Sequence, residues 1–167
     1  MDEILSGGVA NAGSVIRRGE FVLRPSNPNS EAVHAFLFGL RSNGLEGASL
    51  PVEIQEDGRE RLVFIEGDVA VPPFPAWVQS DHALSSITAL MKAFHKASSR
   101  VPVIEAQWSD ELADPNGGTM ICHNDVCFEN VVFRDGEAVV LLDFDFAAPG
   151  RPLFDLAAVR SDVRAHR

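Results

Sequence analysis

The sequence predicts an α+β fold of two lobes, and three observations support this. Short apolar runs occur in pairs around turn dipeptides, a pattern typical of β-hairpins. Two longer segments space their apolar residues three and four positions apart, as amphipathic helices do. A proline-rich stretch at residues 72–75 separates the first hairpins from the second half of the chain. The predicted order is two strands, helix, two strands, hinge, helix, loop and two strands, which is a mixed α+β arrangement.

The first half is predicted to be a small sheet with one helix, forming an N-terminal lobe over residues 1–70. Its strands form two hairpins and are predicted over residues 14–18, 21–24, 51–55 and 61–66. The second hairpin turns at Asp57-Gly58, a favoured turn dipeptide. Residues 30–40 have apolar side chains at helical spacing, and Ser30 is a suitable N-cap. We place the boundary between the lobes near residues 66–76.

The second half, residues 71–167, is predicted to contain a helix, a loop and a hairpin. The helix covers residues 81–98, with Asp81 as its N-cap and a proline after its end. Asp-Pro and Gly-Gly pairs predict a loop over residues 105–118. The clearest hairpin in the sequence follows, with predicted strands at residues 131–134 and 138–142.

Length, charge and cysteine content limit the class of protein. The chain has 167 residues, 14 of them basic and 24 acidic, which gives a formal net charge of −10. Nucleic-acid backbones are bound by basic surfaces, so we do not expect a nucleic-acid partner. The sequence has no apolar run of about 18 residues to span a membrane, and its acidic start differs from a signal peptide, so we expect a cytoplasmic protein. Cys122 and Cys127 flank His123, but they are better explained as free thiols than as a zinc site.

The residues best suited to chemistry lie between positions 121 and 157. Asp125 and Asn130 are five positions apart in a loop before the hairpin, and Asp143-Phe144-Asp145 closes it. Because the hairpin folds back, Asn130 and Asp143 are expected to lie close together. Amide and carboxylate oxygens are ligands that Mg²⁺ prefers, and Asp125 could orient or deprotonate a hydroxyl group. Taken singly, such residues are usually caps or turns, so the prediction depends on their combination.

These residues also resemble a known family. His123-x-Asp125-x-x-x-x-Asn130 matches the catalytic-loop pattern of kinases, and Asp143-Phe144-Asp145 matches their metal-binding motif. The run from Asp143 to Asp155-Leu-Ala is similar to that of the aminoglycoside phosphotransferase and choline kinase branch. The resemblance implies a protein-kinase-like fold, with a β-rich N-terminal lobe and an incomplete helical C-terminal lobe. It implies transfer of the γ-phosphoryl group of ATP or GTP to a small-molecule hydroxyl acceptor, with Mg²⁺ as cofactor.

The resemblance also implies roles for particular residues. Asp125 would be the catalytic base, His123 would fix the catalytic loop, and the metal ligands would be Asn130, Asp143 and Asp145. The nucleotide would be bound by residues from the N-terminal lobe and the hinge, namely Gly7, Gly8, Arg24, Glu66 and Asp68. The remaining histidines, His34, His82 and His95, are expected to be exposed or packing residues.

Two departures from the family pattern qualify these expectations. The family usually has a lysine on the third strand that pairs with the phosphates and with an acid of the helix. Here Arg24 takes that place, and Glu31 is the nearest helix acid. Family members also continue well beyond the Asp-Leu-Ala motif, so the chain resembles a truncated member. Without further helices, we expect Leu84, Ile87 or Phe94 to contribute to an apolar patch that allows self-association.

Two other functions remain open at this stage. One is a kinase-like protein, or a fragment of one, that binds nucleotide without transferring phosphate. The other, from a different class, is a carboxylate-metal hydrolase that uses Asp125, Asp143 and Asp145. A requirement for a nucleoside triphosphate distinguishes the phosphotransferase from the hydrolase.

Overall fold

A computed structural model describes residues 2–5 and 15–157 of the chain. Its first part is a five-stranded sheet with the order β1-β2-β3-β5-β4, in which the pairings of β1 to β5 are antiparallel. The strands are β1 (Asp2–Ile4), β2 (Ile16–Arg18), β3 (Phe21–Pro25), β4 (Pro51–Ile54) and β5 (Arg59–Val63). Both predicted hairpins are therefore present, and β3 and β5 pair with each other at the centre of the sheet.

Helix α1 (Ser30–Ser42) packs its apolar face against the core and connects β3 to β4. The prediction of Ser30 as the N-cap was wrong, because Asn29 occupies that position and Ser30 is the first helical residue. The Ser30 hydroxyl instead accepts a hydrogen bond from the backbone N–H of Asn27 at 2.9 Å, which stabilises the turn before the helix.

The second part contains two smaller sheets. Strand β6 (Asp68–Val69) pairs with β8 (Val131–Arg134), which forms the predicted hairpin with β9 (Glu137–Leu141). Strands β7 (Met120–Cys122) and β10 (Ala148–Gly150) form an antiparallel pair. A bridge from Ala48 to Leu141 connects the segment before β4 to the hairpin.

Helix α2 (Asp81–Ser98) lies against the hairpin and has the predicted bounds. Its N-cap is Ser80 rather than Asp81, since the Ser80 hydroxyl accepts a hydrogen bond from the N–H of Ala83. Two buried serines connect the helix to neighbouring strands. Ser86 Oγ accepts from the N–H of Ala138 at 2.9 Å, and Ser98 Oγ donates to the carbonyl of Ile121 at 2.6 Å. These bonds fix α2 against the elements on either side of the catalytic-loop motif.

One apolar core joins α1, α2 and the hairpin. Three of its phenylalanines, Phe36, Phe94 and Phe144, meet edge to face with ring centroids 5.8–6.4 Å apart. Ile87 and Phe94 are buried in this core and Leu84 packs against it, so the apolar patch expected from these residues is wrong. Within the described residues, no helix is long and apolar enough to cross a membrane.

Candidate active site

The catalytic-loop motif and the metal-binding motif meet at the floor of a cleft of about 700 Å³. The roof is the N-terminal sheet, which contributes Val22, Leu62 and Val63, and α1 adds Val33 and Leu37. The floor carries the polar residues expected from the sequence, namely Asp125, Asn130 and Asp143. A large cleft with apolar walls and a few converging polar groups is the usual form of a small-molecule site.

Local backbone bonds place Asn130 and Asp143 at the two ends of the hairpin. The N–H of Leu142 donates to the carbonyl of Asn130 at 2.8 Å, which holds the hairpin ends together as predicted. Asp143 has a φ of +55°, a left-handed conformation in which aspartate is more common than most residues. Phe144 is buried in the core, so its ring anchors the backbone between Asp143 and Asp145.

Asn130 also connects directly to Asp125. Its Nδ2 donates to the backbone carbonyl of Asp125 and to Oδ2 of the same residue, both at 3.0 Å. Because the amide nitrogen is used in this way, the amide oxygen of Asn130 is the atom suited to bind a cation. Asp125 is half-buried and lines the cleft, where a hydroxyl group of a ligand can approach it.

The ring of His123 fixes the loop beneath Asp125. Nδ1 accepts a hydrogen bond from the backbone N–H of Asp125 at 3.3 Å, and Nε2 lies 2.8 Å from the carbonyl of Leu142. Since a carbonyl can only accept, we assign the proton to Nε2 and treat the imidazole as neutral. His123 therefore positions the catalytic loop, in agreement with the role that the resemblance implied.

Asp155 stabilises the same loop from the far end of the sequence motif. Its two carboxylate oxygens accept from the backbone N–H groups of His123 and Asn124 at 3.0 and 2.8 Å. Nε2 of His95 lies 2.9 Å from the same group, so His95 is a buried polar partner and not merely an exposed or packing residue. Burial by itself would raise the pKa of the Asp155 carboxyl. The hydrogen bonds from His95 and from the backbone favour the charged form and outweigh burial, so the pKa lies below its usual value.

Arg24 crosses the cleft from β3 and contacts three carboxylates. Nε donates to Glu60 at 2.5 Å, and the two terminal nitrogens donate to Asp143 at 2.9 Å and Asp145 at 2.6 Å. The expected helix partner Glu31 is exposed, and its expected place beside Arg24 is taken by Glu60 of the neighbouring strand. Burial raises the pKa of Asp145 to about 6, Arg24 opposes this shift and Asp143 adds to it.

The other predicted cofactor residues lie in different places. Gly7 and Gly8 lie outside the described residues. Glu66 is exposed and pairs with Arg17 at 2.9 Å, and Asp68 is exposed in β6. Their neighbours Ile65, Gly67 and Val69 line the cleft. Gly67 has a φ of +150°, and a Cβ there would lie only 2.6 Å from the carbonyl oxygen of Phe133, so a larger residue would push the segment away from β8.

Sequence reasoning missed Glu60 and His34, which both line the cleft. His34 lies on α1 with Nε2 3.7 Å from Oε1 of Glu60, and burial lowers its pKa. Glu60 lies just before the strand predicted over residues 61–66, whereas β5 begins at Arg59, and its pairing with Arg24 depends on the register of β3 and β5.

The donor set near Asp143 is suited to Mg²⁺. Carboxylates and an amide oxygen are hard ligands. The side chains of Asp143, which lines the cleft, and of Asp145 are both partly exposed. Among the described residues, no group of three or more His, Cys, Asp or Glu side chains is arranged to hold a metal ion by itself. Oxygen atoms of water or of a bound ligand would therefore have to complete the coordination of a metal here.

Comparison with known proteins decides the family. The model of the phosphotransferase enzyme family matches residues 67–166, which include the whole catalytic-loop and metal-binding motifs. The chain belongs to the phosphotransferase enzyme family. The trifolitoxin immunity protein of Rhizobium leguminosarum bv. trifolii is similar to this family member, with 35% identity over 162 residues. That match covers 93% of the chain and 60% of the relative.

Solved structures establish that this family member has the kinase-like fold predicted from the sequence. A choline/ethanolamine kinase family protein from Mesorhizobium loti superposes with a TM-score of 0.68 at 18% identity, covering 95% of the chain and 63% of that protein. The streptomycin–ATP–APH(2″)-IIa ternary complex gives a TM-score of 0.62 at 16% identity, covering 93% and 69%. The ADP-bound aminoglycoside phosphotransferase APH(2″)-Ib gives 0.64 at 15% identity, with the same coverage. The chain thus spans less than two thirds of the relative and of the first of these structures.

Proposed function

We propose that the chain carries the catalytic site of a phosphotransferase that moves the γ-phosphoryl group of ATP or GTP to a hydroxyl acceptor. The observation that carries this proposal is the bond from Asn130 to Asp125 beside the Asp143-Phe144-Asp145 turn, at the floor of the cleft. The residues have different roles in this reaction. Asp125 orients the acceptor hydroxyl and receives its proton, while the residues around it bind the nucleotide that donates the phosphoryl group.

In this proposal Mg²⁺ would be held by Asn130, Asp143 and Asp145, where it would neutralise charge on the nucleotide phosphates. Arg24 contributes two further N–H donors at the same place. Residues 1–70 would cover the nucleotide as one lobe and residues 71–167 would form the catalytic lobe. The base would lie against the apolar roof near Ile65 and Gly67, and Gly7, Gly8, Glu66 and Asp68 remain proposed contributors to this binding.

The direct test is a thermal-unfolding panel with ATP, GTP, ADP and GDP, each with and without Mg²⁺. A ligand present at 100 times its Kd stabilises the folded protein by roughly 2.7 kcal/mol, which is easily measured. We expect stabilisation by a nucleoside triphosphate that depends on Mg²⁺, followed by phosphate transfer to a hydroxyl acceptor. Binding without transfer to any acceptor would favour the inactive kinase-like protein, and metal-dependent hydrolysis that needs no nucleotide would favour the carboxylate-metal hydrolase.

A second proposal concerns the acceptor and is motivated by the 35% identity to the trifolitoxin immunity protein. The acceptor hydroxyl would belong to a toxic compound, and its phosphorylation would protect the cell. Expression of the chain in a trifolitoxin-sensitive bacterium tests this. Protection that is lost in Asp125→Asn, together with a toxin mass increased by one phosphoryl group, is the expected result. Equal protection by the wild type and Asp125→Asn would contradict it.

A further inference from the structure

The segment at residues 64–67 joins the five-stranded sheet to β6, and arginines from two sheets hold it. The guanidinium carbon of Arg17, on β2, lies 3.6 Å from the ring centroid of Phe64. Arg17 also pairs with the carboxylate of Glu66 at 2.9 Å. From the other sheet, Nε of Arg134 on β8 donates to the backbone carbonyl of Glu66 at 3.0 Å. Glu66 is thus held by one sheet through its side chain and by the other through its carbonyl.

The bond from Arg134 also fixes the direction of the following N–H group. The peptide bond between Glu66 and Gly67 is trans, and in a planar trans peptide the C=O and the N–H point in opposite directions. Glu66 and Arg134 are exposed and lie outside the described lining of the cleft, whereas Gly67 lines it. A carbonyl turned toward Arg134 therefore leaves the Gly67 N–H turned toward the cleft.

Gly67 is held closely against β8 on the side away from the cleft. A Cβ at this position would lie 2.6 Å from the carbonyl oxygen of Phe133 and 3.5 Å from Cγ of Arg134. Within the described residues, the N–H of Gly67 makes no hydrogen bond. A backbone N–H that faces an apolar cleft needs an acceptor, and a bound ligand can supply one.

We propose that Arg134 is a positioning residue for recognition of the nucleotide base: it holds the Glu66 carbonyl outside the cleft and so turns the Gly67 N–H toward an acceptor atom of the base. This inference rests on the proposed function, since it concerns the nucleotide bound at that site. Arg134 acts through the main chain and does not itself touch the base. The direction of the donor depends on the group that binds the carbonyl of the same peptide.

Two variants of equal side-chain length separate the hydrogen-bond donor of Arg134 from its charge. Nε2 of glutamine is the same number of bonds from Cα as Nε of arginine, so Arg134→Gln keeps a donor without the charge. Arg134→Met has a side chain of this length with no donor. The control is Arg41→Met, which removes an exposed arginine of the last turn of α1, outside the described lining of the cleft.

Calorimetry measures the affinity of each protein for non-hydrolysable ATP and GTP analogues with Mg²⁺, and thermal unfolding without ligand checks that each variant folds. We expect Arg134→Met to weaken binding of the analogue that the wild type prefers by roughly 3- to 10-fold, the effect of one net hydrogen bond. Arg134→Gln and Arg41→Met should bind this analogue as the wild type does.

Heteronuclear NMR observes the Gly67 N–H directly. In the wild type, a saturating amount of the analogue should shift the amide signal of Gly67 and slow the exchange of its proton with solvent, because the amide gains an acceptor. In Arg134→Met, at saturation, the shift should be smaller and the exchange faster. A purely structural role of Arg134 would not act selectively on this amide.

Other outcomes would overturn the inference. Wild-type affinity in Arg134→Met would show that the carbonyl needs no donor, and an equal loss in Arg134→Gln or Arg41→Met would show that charge matters instead. A wild type that binds the analogue without any change at the Gly67 amide would show that this donor does not meet the base.

If Arg134→Met does not fold, Arg134→Glu replaces it under the same criteria, because an ionised carboxylate reaches as far and donates no hydrogen bond. A wild type that binds neither analogue would instead contradict the proposed function, and with it this inference.

Discussion

Nε2 of His95 lies 2.9 Å from Oδ2 of Asp155, and this contact joins α2 to the helical segment at residues 152–157. The same carboxylate accepts hydrogen bonds from the backbone N–H groups of His123 and Asn124. One buried side chain thus connects α2 to the loop that carries Asp125. The last part of the sequence motif supports the catalytic loop without lining the cleft.

Replacing Asp155 should destabilise the fold. Asp155→Asn removes the charge and places an N–H₂ group where two backbone N–H donors and His95 converge, so a donor loses its acceptor. Hydrogen bonds to charged groups contribute about 1.5–3 kcal/mol each, and we expect a loss of about this size in the free energy of unfolding. Urea denaturation at neutral pH measures it. Asp110→Asn, at an exposed loop position, is the control and should change stability by less than about 0.5 kcal/mol. Equal stability of both variants would contradict the role of Asp155.

Phe144 is expected to be essential for both stability and metal binding. Its ring is buried against Phe36 and Phe94, and its neighbours in the chain are Asp143 and Asp145. Phe144→Ala should cost about 3–5 kcal/mol in the free energy of unfolding, as is usual for a large aromatic residue in a core. Phe38→Ala, on the exposed side of α1, is the matched control and should be nearly neutral. Urea denaturation measures both variants. Similar losses of unfolding free energy in the two would show that packing of Phe144 against Phe36 and Phe94 does not stabilise the Asp143-Phe144-Asp145 motif.

The buried carboxyl of Asp145 predicts a pH dependence. Its pKa in the folded protein is about 6, raised mainly by burial, whereas an unfolded aspartate has a pKa of about 3.9. Between these pH values the folded protein binds more protons than the unfolded chain, so this group lowers the free energy of unfolding as the pH rises from about 4 to about 6. Asp145→Asn lacks this contribution.

The measurement is urea denaturation of the wild type and Asp145→Asn at several values between about pH 4 and about pH 7. The stability of the variant relative to the wild type should increase with pH up to about 6 and then remain constant. A difference that does not change with pH in Asp145→Asn would mean that Asp145 ionises normally in the folded protein.

Substitutions of Asp143 and Asp125 are expected to have different effects, the first on nucleotide binding and the second on phosphate transfer. Asp143→Asn should weaken binding of Mg²⁺ with a nucleoside triphosphate, because a hard cation loses an anionic ligand. Asp125→Asn should leave this affinity nearly unchanged, while phosphate transfer falls by about 10² to 10⁴, the usual contribution of a positioned general base. Calorimetry and a turnover assay with an identified acceptor measure the two effects.

Two results would contradict these separate roles. An equal loss of nucleotide affinity in both variants would indicate that Asp143 and Asp125 are both metal ligands, and that Asp125 is not a base. Unchanged binding in both variants would remove the kinase-like interpretation of the site. Cys127→Ser is the control for an unspecific effect of changing this loop. Cys127 lines the cleft near Asp125 and has no proposed role, so this variant should keep both binding and transfer.

Much of the fold was predictable because it depends on local patterns. Helix α2 has the predicted bounds, since its apolar spacing is regular and a proline follows its end. The hairpin of β8 and β9 was equally clear from its two short apolar runs. The N-caps were predicted less well, because Ser80 and Asp81 both suit a cap and the backbone geometry selects between them.

The sequence alone determined the kinase-like fold, the family and the grouping of Asp125, Asn130 and Asp143, because these residues lie within one short motif around a single hairpin. The tertiary structure decided which acid pairs with Arg24. That partner, Glu60, lies 36 positions away, and it meets Arg24 through the register of two strands. The contacts of Arg24 with Asp143 and Asp145 span 119 and 121 positions. Contacts over such separations depend on how the sheet packs over the hairpin, and no local pattern in the chain records that packing.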